Sequence, residues 1–190
     1  MDWFRLRHSL GLLLQNTGTK RAAYVRSHGL FRHVGDQCMF MFRKLPLYSD
    51  LISVGNNVHL ASNVSFITHD VTHNMLNRRE GTKAFKEYIG CIEIGDNVFV
   101  GANTTILYNS RIPSNTVIGA NSFVNKILTK EGVYAGVPAR YICSLEEFMD
   151  KRKGSAVEIK RDHHRLSAET VNEAWKAFRE KANRTGEHHE

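Results

Sequence analysis

Residues 92–127 read IEIGDN VFVGAN TTILYN SRIPSN TVIGAN SFVNKI, six consecutive hexads with an aliphatic residue third in each: Ile94, Val100, Ile106, Ile112, Ile118 and Val124. Asn closes five of the six, and Asn tolerates the left-handed backbone torsion needed at a tight corner between short strands. A period of six suits neither an α-helix, with apolar residues three and four apart, nor a sandwich strand, with strict alternation between longer turns. Three hexads make one triangular turn of a parallel β-helix, so the stretch predicts about two stacked turns.

The same period recurs upstream in ISVGNN, VHLASN and VSFITH, which turns Val54, Leu60 and Phe66 inward, and more faintly around Val34 and Phe40. About four coils follow. Between the two blocks, the polar stretch from His69 to about Gly90 contains no hexad. It is expected to leave the stack as an excursion loop over 68–91, and a long unrepeated loop on a regular scaffold is commonly functional.

These residues resemble the hexapeptide-repeat acyltransferases, whose fold is a left-handed parallel β-helix; the resemblance covers about residues 50–142. ITHDVTH at the start of the excursion is similar to the segment carrying the catalytic histidine in the maltose, galactoside and xenobiotic acetyltransferases. IEIGDNVFVGANTTIL and the closing VYAGVPARYI are similar as well. Polysaccharide O-acetyltransferases of capsule and surface-glycan synthesis look nearest. Left-handedness is implied by the resemblance, not by the period. The better-known members carry Gly before the histidine and Pro after it, where this chain has Thr68 and Asp70.

With 190 residues and 42% apolar content, the chain can fill one coil domain (33–142), flanked by an N-terminal helical arm (1–32) and a C-terminal helical extension (143–190). No stretch approaches the ~20 apolar residues that span a bilayer. The run Leu10–Leu14 is short and lacks a small-residue cleavage site, so a cytoplasmic protein is expected. Cys38, Cys91 and Cys143 lack metal-ligand spacing and read as buried or incidental thiols.

Much of the formal charge of +7 lies at the start, where residues 1–32 hold six basic side chains against Asp2 alone. Trp3, Phe4, Leu6, Leu10, Leu13 and Leu14 recur there at near-helical spacing. Such an arm suits peripheral contact with an anionic membrane or an acidic glycan. Its apolar stripe equally suits a cap over the open end of the coil. No aromatic-rich basic motif points to nucleic acid. Downstream, Ser144–Lys153 reads as a short helix burying Leu145, Phe148 and Met149. Ser167 is placed to cap a second helix with Val171, Trp175, Phe178 and Ala182 on one face. The terminal GEHHE reads as disordered.

Moving an acetyl group from a thioester to a hydroxyl requires a base for the hydroxyl proton, and imidazole at neutral pH suits that task. The resemblance assigns it to His69, with His73 the nearest rival, and implies direct transfer from acetyl-CoA without an acyl-enzyme. Asp70 is a candidate to orient an imidazole or to bind the acceptor. Carried over by position, Ala102 and Ala120 match small residues along the pantetheine arm, and Asn125 with Lys126 match a pair near the phosphates. Arg140 is a further phosphate candidate. Phe99 stands where some relatives place Trp near the thiol, and Ser49 or Asp50 falls near an acidic acceptor-binding position. The family implies a homotrimer whose second subunit walls the site.

The expected function is therefore an acetyl-CoA-dependent O-acetyltransferase acting on a sugar hydroxyl of a bacterial surface polysaccharide or its precursor, with no metal. The alternatives are a small-molecule acetyltransferase of the galactoside, maltose or xenobiotic kind, a non-catalytic scaffold, and a γ-carbonic-anhydrase-like metal protein using His59, His69 and His73. The spacing of the two excursion histidines departs from that last family.

Overall fold

The hexad reading reappears as strands in the structure, a computed structural model that describes residues 3–153, 159–162 and 165–186. Two helices come first, α1 (Trp3–Leu14) and α2 (Gly18–Ser27). A first rung has two strands, β1 (His33–Val34) and β2 (Met39–Phe40), and a second has three, β3 (Ile52–Val54), β4 (Val58–Leu60) and β5 (Ser65–Ile67). The excursion contributes β6 (His69–Asp70), α3 (Thr72–Glu80) and β7 (Tyr88–Ile89). A third rung follows with β8 (Ile92–Ile94), β9 (Val98–Val100) and β10 (Thr105–Leu107), then a fourth with β11 (Ser110–Ile112), β12 (Thr116–Ile118) and β13 (Phe123–Val124). The stack closes with β14 (Gly132–Ala135) and β15 (Arg140–Cys143), and α4 (Leu145–Lys153) follows.

Equivalent strands of successive rungs pair in parallel, so the chain visits three sheets in rotation: β1-β3-β8-β11, β2-β4-β9-β12-β14 and β5-β10-β13. β15 then pairs antiparallel with β14. Register aligns the third residues of the hexads. Val54 lies opposite Ile94 and Ile94 opposite Ile112, while Phe66, Ile106 and Val124 form another row. All of these are buried, each fully buried aliphatic side chain contributing about 1.5–3 kcal/mol.

Corners are made as the Asn pattern requires: Asn57, Asn63, Asn97, Asn103, Asn109, Asn115 and Asn121 all adopt positive φ. A second reason for Asn appears in the amide ladder running up one edge. Asn57 Nδ2 donates to Asn97 Oδ1 at 3.0 Å, Asn97 to Asn115 at 3.1 Å, and Asn115 to Glu131 at 3.0 Å. The small residue after the inward aliphatic has a packing cause. A Cβ on Gly55 would stand 2.8 Å from the carbonyl carbon of Gly95, and one on Gly95 2.6 Å from the amide nitrogen of Ser114.

The first-rung end is plugged by Phe31, Phe40, Phe42 and Phe66, whose rings lie 5.4–6.1 Å apart. Here the stripe reading of the arm needs correction. Thr17 Oγ1 accepts from the Lys20 amide at 3.2 Å and starts a new helix, so the arm folds back as a helical pair. α1 turns His8 and Leu12 inward, α2 buries Ala22 and Val25, and Trp3, Phe4, Leu10, Leu13 and Leu14 are left exposed. Arg21, fully buried, ties the pair to the first rung through Nε to Phe40 O (2.8 Å) and to the link between α1 and α2 through Nη1 to Gln15 O (2.7 Å).

The chain divides after Phe148 into two compact units. α4 begins with a reciprocal capping box, Ser144 N to Glu147 Oε2 (3.0 Å) and Glu147 N to Ser144 Oγ (3.1 Å). Leu145 and Phe148 are half-buried, while Met149, expected inside, is exposed. The second unit holds an unforeseen hairpin, β16 (Arg161–Asp162) with β17 (Arg165–Leu166), and α5 (Ala168–Gly186). Ser167 accepts from the Thr170 amide at 3.2 Å, as its capping role requires. Val171, Trp175 and Phe178 are exposed. Residues 187–190, most of the GEHHE terminus, lie outside the described residues.

Candidate active site

Phe66 points into the core, and the next inward residue, Thr68, spends its hydroxyl on Leu47 O at 2.6 Å. The chain then leaves the stack. His69 pairs with Ile89 and Asp70 with Tyr88 in a short antiparallel ladder, closed below by Gly90 N to Thr68 O at 2.9 Å. The excursion is therefore folded rather than the loop expected. α3 ends at Gly81 in the left-handed conformation, with the Gly81 amide on Asn77 O. The Asn77 side chain clasps Phe85 through both backbone groups, at 2.9 and 3.1 Å. Gly81 after Arg78 and Arg79 is a helix-end signal that the sequence carries in plain view.

His69 stands at the foot of this hairpin with its ring edge-on to Tyr48, centroids 5.2 Å apart. Tyr48 adopts a left-handed conformation before the turn Ser49–Leu51. Its hydroxyl donates to Glu87 Oε1 at 3.1 Å and so links the first-rung return to the excursion. The Nδ1 atoms of His69 and His73 are both buried, and among the described residues neither has a hydrogen-bond partner. Asp70 is committed elsewhere: Oδ1 accepts from the Thr72 amide (3.1 Å) and hydroxyl (2.6 Å), and Oδ2 from Tyr108 Oη (2.8 Å). The Thr72 hydroxyl first, then Tyr108 and the Thr72 amide, hold its carboxyl below the ordinary range.

A cleft of about 560 Å³ reaches His69. It exists because the first rung has no third strand: the sheet order β13-β10-β5 leaves β5 at an edge, and residues 42–47 swing away from it. It is lined by Ser65, Ile67 and His69 from β5 and the residue leaving it, by Arg43, Lys44, Leu45 and Pro46 from the return, and by Arg5 from α1. Arg5 Nε donates to Leu45 O at 2.7 Å. A neighbouring cleft of about 310 Å³ shares Arg5 and Leu45–Leu47 and is lined by Tyr48, Ser49 and Asp50. Asp50 is exposed there and Ser49 buried.

The remaining candidates lie at three other places. Ala102 and Ala120 follow equivalent strands on one corner, where Ala102 O accepts from Asn121 N at 2.8 Å. Asn125 and Lys126, both exposed, follow β13 on the corner from which the excursion departs. By the register of Phe66, Ile106 and Val124, Lys126 holds in the fourth rung the place of Thr68 in the second, about 10 Å along the stack at ordinary strand spacing. Arg140 is exposed opposite Ala135 at the closing antiparallel pair. Phe99 is exposed between His59 and Val117 on the outer face of a different sheet from β5, so one subunit does not bring it to His69. His59 shares that sheet, apart from His69 and His73. Among the described residues no three His, Cys, Asp or Glu side chains converge as a metal would need. Sequence reading did not single out Tyr48, Tyr108, Arg43 or Lys44, which face the site only through the non-repetitive return of the first rung and the folded excursion.

Six-residue units of strand and corner, stacked in parallel with a histidine at the mouth of an inserted excursion, define a hexapeptide-repeat protein. Residues 91–126 match the family model described as bacterial transferase hexapeptide (six repeats). The chain is 33% identical over 127 residues to protein CapG of Staphylococcus aureus, covering 62% of this chain and 69% of that protein. It is 33% identical over 123 residues to galactoside O-acetyltransferase of Escherichia coli K12, covering 64% and 58%. The structure is similar to that of a maltose O-acetyltransferase from Clostridium difficile 630, with a TM-score of 0.51 at 26% identity over 75% of this chain and 89% of that one. The chain belongs to the hexapeptide-repeat acyltransferase family. It spans between 56 and 66% of the length of the first curated relatives it matches.

Proposed function

We propose that the protein is an acetyl-CoA-dependent O-acetyltransferase in which His69 is the general base for a sugar hydroxyl. The observation that carries this reading is the position of His69, at the fixed foot of the excursion and on the wall of a cleft large enough for a small ligand. His69 removes the hydroxyl proton as the acceptor oxygen attacks the thioester carbonyl. The C–S bond then breaks, the ester forms, and the imidazolium returns its proton to the departing thiolate. Transfer is direct, without an acyl-enzyme.

The three-sheet stack is read as a left-handed parallel β-helix that works as a homotrimer in the cytoplasm. The unpartnered Nδ1 atoms of His69 and His73 support a site completed by a neighbouring subunit or by ligand, since a buried ring nitrogen left without a partner costs about 1–3 kcal/mol. Ala102 and Ala120, lacking bulk beyond Cβ, leave backbone open to the pantetheine arm. Asn125, Lys126 and Arg140 are exposed and suited to its phosphates. Phe99 would serve the site of an adjoining subunit. The acceptor is read as a surface polysaccharide or its precursor, and the naming of relatives for galactoside and maltose favours a small sugar as the second reading.

The test is release of free thiol from acetyl-CoA by wild type and His69→Ala across monosaccharides, oligosaccharides and a de-O-acetylated capsular polysaccharide, with coenzyme A binding followed by calorimetry. Acceptor-dependent release should vanish in His69→Ala while coenzyme A binding persists. Turnover retained by the variant removes His69 as the base; no binding and no release returns the scaffold reading.

A further inference from the structure

The cleft at His69 carries positive charge that nothing in the proposed chemistry uses. Arg5, Arg43 and Lys44 line it, and among the described residues no Asp or Glu does. Arg43 and Lys44 are exposed, and among the described residues neither has a carboxylate partner. Arg43 also lies near enough to the buried Arg21 to disfavour its charge, after burial itself, so like charge accumulates rather than being neutralised. A cleft lined by one sign of charge against a low-dielectric wall concentrates the opposite ion. Arg5 is fixed by its bond to Leu45 O, which places its guanidinium at the cleft at reduced entropic cost. β5, which also lines the cleft, is an edge strand, and edge strands offer unpaired backbone groups.

We propose that this cleft selects an acceptor carrying a negative charge, a sugar bearing a carboxylate or a phosphate, whose anion is held by Arg43 and Lys44 while a hydroxyl reaches His69. The inference rests on the transferase reading for the role of His69, but not for the binding. Guanidinium and ammonium together recognise either oxyanion through charge-assisted bonds, and sugar hydroxyls would take the β5 edge. The volume of about 560 Å³ admits a small charged saccharide. A neutral sugar of the same size gains hydrogen bonds from the three cations but no charge–charge attraction.

Calorimetric titration of the full chain separates this from the transferase reading, because it needs no turnover. The probes are trigalacturonate for the carboxylate, galactose 6-phosphate for the phosphate, maltotriose as the neutral control, and coenzyme A. One or both charged sugars should bind more tightly than maltotriose, and added salt should weaken that binding. In Arg43→Gln/Lys44→Gln their affinity should fall roughly tenfold or more, the size of one lost charged hydrogen bond. The charge-retaining Arg43→Lys/Lys44→Arg should recover most of it, and His69→Ala should keep it. Equal binding of neutral and charged sugars, or a double variant that loses coenzyme A affinity alone, overturns the proposal and, in the second case, gives the cleft to the nucleotide phosphates. A loss of acetyl transfer in His69→Ala with charged-sugar binding intact supports both readings; selective binding with no transfer by wild type sinks only the transferase.

Discussion

Tyr108 donates a hydrogen bond to Asp70 Oδ2 at 2.8 Å, and through it the third rung holds the foot of the excursion whose first residue is His69. Asp70 Oδ1 meanwhile holds the first turn of α3 through Thr72. Because these bonds favour the carboxylate, its folded pKa is depressed. Their contribution is therefore present above the ordinary carboxylate value and is lost as pH falls through the lower folded value. The protection factor of the Thr72 amide, which removes the intrinsic slowing of exchange in acid, should hold through mild acid and fall only as the pH drops below the ordinary carboxylate range. In Tyr108→Phe the onset should move to higher pH. An onset identical in both proteins would show that Tyr108 does not hold Asp70.

Asn97 combines two roles, a φ of +56° and a place in the amide ladder between Asn57 and Asn115. Gly supplies the torsion without the ladder, and Ala supplies neither. Asn97→Ala should lose about 1–2 kcal/mol in urea unfolding, the cost of a left-handed conformation with a Cβ, and Asn97→Gly clearly less. Equal losses would mean that the ladder, rather than the torsion, requires Asn at these corners.

Legibility in the sequence follows how local each cause is. The inward row Phe66, Ile106 and Val124 could be read from the chain because one residue per hexad must face the core and the period repeats. The corner asparagines were equally plain, since positive φ is a property of the residue itself. The arm is helical as its spacing predicts, but the sequence does not show which side of α1 is buried, because α1 is apolar around much of its circumference. Which stripe is buried depends on α2 folding back, and His8 with Leu12 won over the more apolar Leu10 and Leu14. The basic cleft was hidden for a related reason. It depends on a strand that the first rung lacks, and no local pattern in residues 42–47 announces a missing neighbour.

Arg21 is a buried cation whose partners include two carbonyls and the Met41 sulfur, Nη2 to Sδ at 3.3 Å. Arg21→Met keeps volume but leaves the carbonyls of Phe40 and Gln15 without their donor, at about 1–3 kcal/mol each, partly offset by no longer burying a charge. A net loss of about 2–3 kcal/mol in thermal unfolding is expected, with α1 and α2 becoming the most protease-sensitive part of the first unit. Unchanged protease resistance of the arm would mean that apolar burial through Leu12, Ala22 and Val25 is sufficient.

Ile106 lies fully buried at the middle of its row, between Phe66 and Val124. Strands of two or three residues give the neighbours little freedom to collapse into a void. Ile106→Ala should cost about 2–5 kcal/mol, and Ile106→Val about 0.5–1.5 kcal/mol. A cost below 1 kcal/mol for Ala, measured by denaturant unfolding with an unchanged slope, would indicate that the stack relaxes more readily than its fixed register suggests.

Lys126 gives the sharpest separation of cofactor from acceptor. It follows β13 two rungs beyond the departure point of the excursion, exposed and remote from Arg43 and Lys44 in sequence and in the strand it follows. If it meets the phosphates of acetyl-CoA, its charge is felt equally in ground and transition states, so its loss acts as uniform binding. Lys126→Ala should then raise the KM for acetyl-CoA severalfold with kcat little changed, and leave the KM for the sugar alone. Arg43→Gln/Lys44→Gln should do the reverse, raising the acceptor KM at constant KM for acetyl-CoA. A fall in kcat at constant KM in Lys126→Ala would take this lysine from the phosphates and give it a role in the transfer step.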